Sequence, residues 1–141
     1  MTAKEYLSEI QKMRRLLHSL ELRAEELRTQ AEGVKAIRYD GDKVQVSPAS
    51  RMEDLVARLV EVEEEYARQI FYYHTEMQKR IKQIAALRAD YAEILRLRYV
   101  EGNGHPLRLE QIALRMHLSW PRVKHLHGEA LEAFRKRWLR A

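Results

Sequence analysis

The chain has 141 residues and a mass of 16.8 kDa, with 33% charged residues, a net charge of +5 and no cysteine. That size suits one domain or two small ones, and the lack of cysteine excludes disulfide frameworks, thiol catalysis and Cys-based zinc sites. No run approaches about 18 consecutive apolar residues, which excludes a membrane-spanning helix, and the opening Met1-Thr2-Ala3-Lys4-Glu5 lacks the apolar core of a signal peptide, so a cytoplasmic protein is expected.

The charge is unevenly placed. Residues 1–90 hold 16 Lys and Arg against 16 Asp and Glu, whereas residues 91–141 hold 10 against 5, so the whole excess lies in the last third. Four of the six histidines, His105, His117, His125 and His127, lie there too. A basic segment joined to a neutral one implies an assembly part and a part that meets a polyanion.

In chain order, Ile10, Met13, Leu17, Leu20, Ala24, Leu27, Ala31 and Val34 alternate spacings of three and four, a heptad seam on a helix from about Lys4 to Glu32. At about 1.5 Å per residue it would reach about 43 Å, too long and narrow to stand without a covering helix. Gly33 reads as its stop. Between residues 33 and 51 the helical period lapses. Ile37-Arg38-Tyr39 and Lys43-Val44-Gln45-Val46 flank Asp40-Gly41, which predicts a short hairpin or ordered loop. Ser50 and Glu53 then read as a capping box opening a second long helix.

Met52, Leu55, Leu59, Val62, Tyr66, Ile70, Tyr73, Met77, Ile81 and Ile84 continue the three-or-four spacing, with fours at 62, 66 and 70. From residue 51 to 88 this helix would extend about 55 Å at about 1.5 Å per residue, long enough to lie antiparallel to the first. Asp90 and Glu93 suggest another cap, for a helix from about Asp90 to Val100 that ends at Gly102-Asn103-Gly104-His105-Pro106.

Two short helical patterns follow. Leu109, Ile112, Ala113 and Met116 mark the first; Val123, Leu126, Ala130, Leu131 and Phe134 mark the second. Ser119 is suited to N-cap the second, with Pro121 in its first turn. This is a helix–turn–helix. With the apolar set inward, Trp120, Pro121, Lys124, His125 and Gly128 turn outward, with Arg122 on a flank. Lys124 and Arg122 suit guanine edges or phosphates, and His125 suits a base edge. Arg135, Lys136, Arg137 and Arg140 form a basic tail suited to phosphates.

The fold expected is all-α: a long antiparallel coiled-coil hairpin over residues 1–89, with a loop at 33–51, and a helix–turn–helix domain over 90–141. DNA contact is expected from Ser119, Trp120, Pro121, Arg122, Lys124, His125, Gly128, Arg135 and Lys136. His125 and His127 point to different faces at a spacing of two, so no metal is expected. No phosphate-binding loop or catalytic set is present, so neither cofactor nor catalysis is expected. The acidic Glu61, Glu63, Glu64 and Glu65, and the basic pairs Arg14-Arg15 and Lys79-Arg80, read as solvated surface charge.

Glu93-Ile94-Leu95-Arg96-Leu97-Arg98-Tyr99, Leu109-Glu110-Gln111-Ile112-Ala113 and Val123-Lys124-His125-Leu126-His127-Gly128-Glu129-Ala130-Leu131 together resemble region 4 of bacterial sigma-70 factors, the helix–turn–helix that reads the promoter −35 element. With Thr2-Ala3-Lys4-Glu5-Tyr6-Leu7, Gly41-Asp42-Lys43-Val44-Gln45-Val46-Ser47-Pro48 and Leu97-Arg98-Tyr99-Val100-Glu101-Gly102, the whole chain resembles phage and prophage transcriptional regulators of the ArpU/RinA-like group. The resemblance implies DNA contact through Trp120, Pro121, Lys124 and His125, and RNA polymerase as a partner through its beta flap. Trp120 and Pro121 stand where sigma factors carry charged or polar readers, which implies a target other than the ordinary −35 hexamer. Nothing resembles sigma region 2, so an accessory activator on double-stranded DNA is expected rather than a complete sigma factor. Self-association, as a dimer first, is expected because one helix–turn–helix makes few base contacts. Two alternatives remain: a small terminase subunit for DNA packaging, and a coiled-coil adaptor whose basic end binds an acidic protein.

Overall fold

The computed structural model describes residues 1–40 and 48–139, leaving aside the side chains of 34–40 and 48–50. The described residues form five helices and no strand: α1 (Ala3–Asp40), α2 (Pro48–Ala85), α3 (Ala89–Tyr99), α4 (Leu109–Met116) and α5 (Trp120–Trp138). The all-α expectation therefore holds. None of the helices is long and apolar enough to cross a membrane among these residues.

Three expected boundaries move. Helix α1 runs through Gly33 to Asp40, so Ile37-Arg38-Tyr39 is helical rather than a strand. Gly33 is exposed, and its lost helix propensity, about 1 kcal/mol, is too small by itself to end a helix that no proline interrupts. The Asp40-Gly41 turn and Lys43-Val44-Gln45-Val46 fall largely in 41–47, outside the described residues. Helix α2 starts at Pro48, whose fixed φ and missing N–H suit a first turn, so Ser50 lies inside the helix and not at its N-cap. Helix α3 starts at Ala89, with Arg88 at the N-cap and no capping side chain. Asp90 is therefore not the N-cap: it lies in the first turn, where its carboxylate takes the Arg88 fork at 2.6 and 2.7 Å and the Tyr91 N–H at 2.9 Å.

The chain divides into two compact units, one of Met1–Arg15 with Tyr73–Ala141, the other of Leu16–Tyr72. The boundary expected after residue 89 thus falls inside the first unit. In the second unit, Ala24, Leu55 and Val62 are buried on the expected seams, and Leu17, Leu20, Leu27, Ala31, Met52, Leu59 and Tyr66 are half-buried. Arg28 pairs with Glu63 across the two helices. Leu22, Val56, Val60, Phe71 and Tyr72 stay exposed, and Ile70, expected in the seam, is among the exposed residues at 38%. Two helices alone lack the partner surface to cover such a set.

The first unit has one core. Leu7 and Ile10 of α1 join Ile84 of α2, Ile94, Leu95, Leu97 and Tyr99 of α3, Ile112 of α4, and Val123, Leu126, Ala130 and Phe134 of α5. Residues 3–15 of α1 and 73–85 of α2 run antiparallel, with Tyr6 bonded to Gln83 at 2.8 Å and Glu9 to Arg80 at 2.6 Å. Arg80 is not surface charge. It is 5% exposed, forks to Glu9 and Glu76, donates to the Tyr6 carbonyl at 3.2 Å and sits 4.2 Å from the Tyr6 ring centroid. Nor are Arg14 and Arg15 merely solvated: they donate to the carbonyls of Val100 and Gly104, while Gln11 donates to the Arg98 carbonyl at 3.0 Å. These contacts satisfy carbonyls at the C-terminal end of α3 and in the loop beyond it, which the helix itself leaves unpaired. That loop turns through Gly104 at φ +96°, a value that side chains rarely tolerate.

Candidate nucleic-acid interface

Helix α4 opens with the Arg108 N–H donating to Gln111 Oε1 at 3.1 Å and closes at His117, whose φ of 56° is left-handed and turns the chain. Two residues later Ser119 caps α5, its hydroxyl accepting from the Arg122 N–H at 3.3 Å, and Pro121 lies in the first turn. Cap, proline and left-handed turn hold α4 and α5 as a helix–turn–helix. Val123, Leu126, Ala130 and Phe134 face the core, so the 3.6-residue period commits the opposite side of α5 to the exterior.

Each residue expected at the interface is exposed: Ser119, Trp120, Pro121, Arg122, Lys124, His125, Gly128, Arg135 and Lys136. Trp120, Pro121, Lys124, His125, Gly128 and Lys136 are brought together along one shallow groove. Ser119 serves as the cap, Arg122 lies beside the groove, and Arg135 is held by Glu132 through two hydrogen bonds of 3.0 and 2.6 Å. That pairing raises the Arg135 pKa and lowers that of Glu132. The Lys124 ammonium lies 5.3 Å from the Trp120 ring centroid, a cation–π distance that couples donor and aromatic surface.

Four further residues line the groove. Tyr91 comes from α3, and Glu129, Glu132 and Ala133 from α5. His125 Nε2 lies 2.6 Å from Glu129 Oε1, and the Tyr91 hydroxyl donates to Glu129 Oε2 at 3.2 Å. Spacings of four and three on a helix made the His125–Glu129 and Glu132–Arg135 pairs legible in advance; nothing local marks Tyr91. The basic tail is only partly available. Arg137 donates to the Ala86 carbonyl at 2.8 Å, Trp138 Nε1 donates to the Gln83 carbonyl at 3.1 Å, and Arg140 lies outside the described residues.

His127 sits on the inner side, its Nε2 2.9 Å from the Tyr99 hydroxyl and the two rings stacked at 5.8 Å. Burial, with the charges of Arg98 and Lys4, pushes its pKa down to about 4 from 6.5, while burial pushes Tyr99 up to about 12. A neutral imidazole protonated on Nδ1 accepts from that hydroxyl. Because the folded pKa lies below the unfolded one, the unfolded chain takes the proton first as pH falls. The stabilisation is whole above pH 6.5 and lost progressively toward about pH 4. Discounted for the ring's residual solvent exposure, the loss is about 1–2 kcal/mol. Urea melts at pH 7.5 and 4.5 test this: His127→Gln narrows the gap between the two, and an unchanged gap rules it out.

In chemical terms the groove offers an ammonium, an imidazole, an indole face and a short acidic rim on one exposed helix, with no enclosed cavity for a small substrate. No curated protein and no solved structure matches the chain. Residues 83–136 match the family Sigma-70, region 4. The match spans α3, α4 and most of α5, so this segment is a sigma-70 region 4 domain, a helix–turn–helix of the DNA-binding kind.

Proposed function

We propose that the chain is a sequence-specific transcriptional regulator of the phage or prophage type, an accessory activator that works with host RNA polymerase in the bacterial cytoplasm. The observation that carries this reading is the groove on α5, where residues expected at bases share one exposed face of a sigma-70 region 4 domain. Helix α5 enters the major groove. Lys124, His125 and Trp120 meet base edges, and Arg122, Arg135 and Lys136 meet phosphates. The protein acts by binding, without cofactor or catalysis.

The test is selection of a duplex from a random library with the purified protein, followed by the double variant Lys124→Ala, His125→Ala. At about 1–3 kcal/mol per good base contact, loss of two lowers affinity for the selected duplex about 30-fold or more, while the log–log salt slope set by phosphates changes by about one contact. An unchanged footprint and preference would overturn the assignment of the reading face.

Self-association belongs to the same reading. The exposed Leu22, Val56 and Val60 of the second unit give a second copy an apolar surface to cover. Light scattering is expected to show a dimer, and Val60→Glu to shift it toward monomer; a ring of eight or more subunits would favour the packaging alternative.

A further inference from the structure

A surface that approaches phosphates gains from cations and loses from carboxylates, yet Glu129 and Glu132 both stand in the groove of α5. Glu132 is accounted for by its fork to Arg135. Glu129 is placed differently. Its two oxygens engage two elements: Oε1 takes His125 Nε2 at 2.6 Å, and Oε2 accepts from the Tyr91 hydroxyl of α3 at 3.2 Å. Tyr91 is itself held, with the Arg88 guanidinium 4.0 Å from its ring centroid and Arg88 forked to Asp90. The carboxylate is thus fixed from behind by another helix while its other end grips a groove residue.

His125 needs such a grip. Its side chain is 67% exposed, so neighbouring atoms do little to choose its rotamer. An ionised carboxylate only accepts hydrogen bonds, so the pairing places a proton on Nε2 and leaves Nδ1 as the ring's one other polar atom. An unheld imidazole would exchange tautomers and present either a donor or an acceptor at each nitrogen.

We infer that Glu129 is a positioning residue for base readout: backed by Tyr91, it sets the ring orientation and tautomer of His125, and through them the base preference of the reading face. This rests on the reading of α5 as the DNA-contacting helix. A carboxylate in that place weakens attraction to every phosphate alike and strengthens discrimination among bases, and specificity is that difference.

The experiment is selection from a random duplex library with the full chain, in parallel for wild type, His125→Ala, Glu129→Ala, Glu129→Gln and the double Glu129→Ala, His125→Ala. Discrimination is expected to fall roughly tenfold at the same base pairs in His125→Ala and Glu129→Ala, with no further loss in the double variant. Glu129→Gln, whose amide oxygen still accepts from Nε2–H, restores most of it. The inference is overturned if Glu129→Ala keeps the wild-type preference, even with a lower melting midpoint. It is equally overturned if the loss falls at other base pairs, adds to that of His125→Ala, or is not rescued by Glu129→Gln. A wild type with no base preference removes the DNA reading of α5 and this inference with it; a preference that survives Glu129→Ala removes only the positioning role.

Discussion

Phe134→Ala is expected to lower stability by about 3–5 kcal/mol, the largest effect of any single substitution proposed for this chain. Phe134 is fully buried on the inner face of α5, and its ring centroid lies 5.7 Å from that of Tyr6 at an interplanar angle of 39°. Truncation removes the buried ring, opens a cavity between α5 and the start of α1, and forfeits an aromatic pair worth about 0.5–1.5 kcal/mol beyond its area. Urea unfolding should show a lower midpoint with an unchanged slope. Leu114→Ala supplies the contrast: at 78% exposure its loss should stay within about 0.5 kcal/mol. Because Phe134 faces away from Lys124 and His125, the fraction of Phe134→Ala that remains folded should select the wild-type duplex. A changed base preference in folded protein would mean that the inner face of α5 helps to shape the outer one.

The second large effect is at Arg80. Arg80→Ala is expected to cost about 3 kcal/mol, because a nearly buried guanidinium joins Glu9, Glu76 and the Tyr6 carbonyl, and its removal strands two half-buried carboxylates. Glu76→Ala alone should cost less, since Glu76 is 28% exposed and Arg80 keeps Glu9. Arg80→Lys should recover only part of the loss, a point charge being unable to reproduce the fork. A loss below about 1 kcal/mol for Arg80→Ala would show the network to be surface-like in energy. The site has a functional consequence. Arg80 and Tyr6 bind the end of α2 to the start of α1, and Tyr6 lies against Phe134, so residues 3–15 belong to the support of α5.

That support was not legible in the chain. The heptad spacing correctly marked Leu17, Leu20, Ala24, Leu27, Leu55, Leu59 and Val62 as a seam, because helical periodicity is a local property repeated every few residues. Ser119 as a cap, Pro121 in the first turn and the inward set Val123, Leu126, Ala130 and Phe134 were legible for the same reason. Where two local signals compete, the stronger decides the boundary. Gly33 has the chemistry of a stop, yet one exposed glycine is too small a cost to end α1. Asp90 has the chemistry of a cap, but it stands inside the first turn of α3, where its carboxylate takes both the Arg88 fork and the Tyr91 N–H.

The helices, their buried stripes, the concentration of positive charge in the last third and the outward residues of α5 all follow from composition and near-neighbour spacing. Which cations are engaged at a distance depends instead on how the helices pack. Arg14, Arg15, Arg80 and Arg137 are indistinguishable in one dimension from solvated cations, yet each is tied to a carbonyl or carboxylate far along the chain, and Arg80 is buried by it. The same packing places Tyr91 behind Glu129. The modest basic excess is therefore more selective than its sum: part of it secures the fold, and the part left on α5 faces outward beside two carboxylates that are themselves held in place.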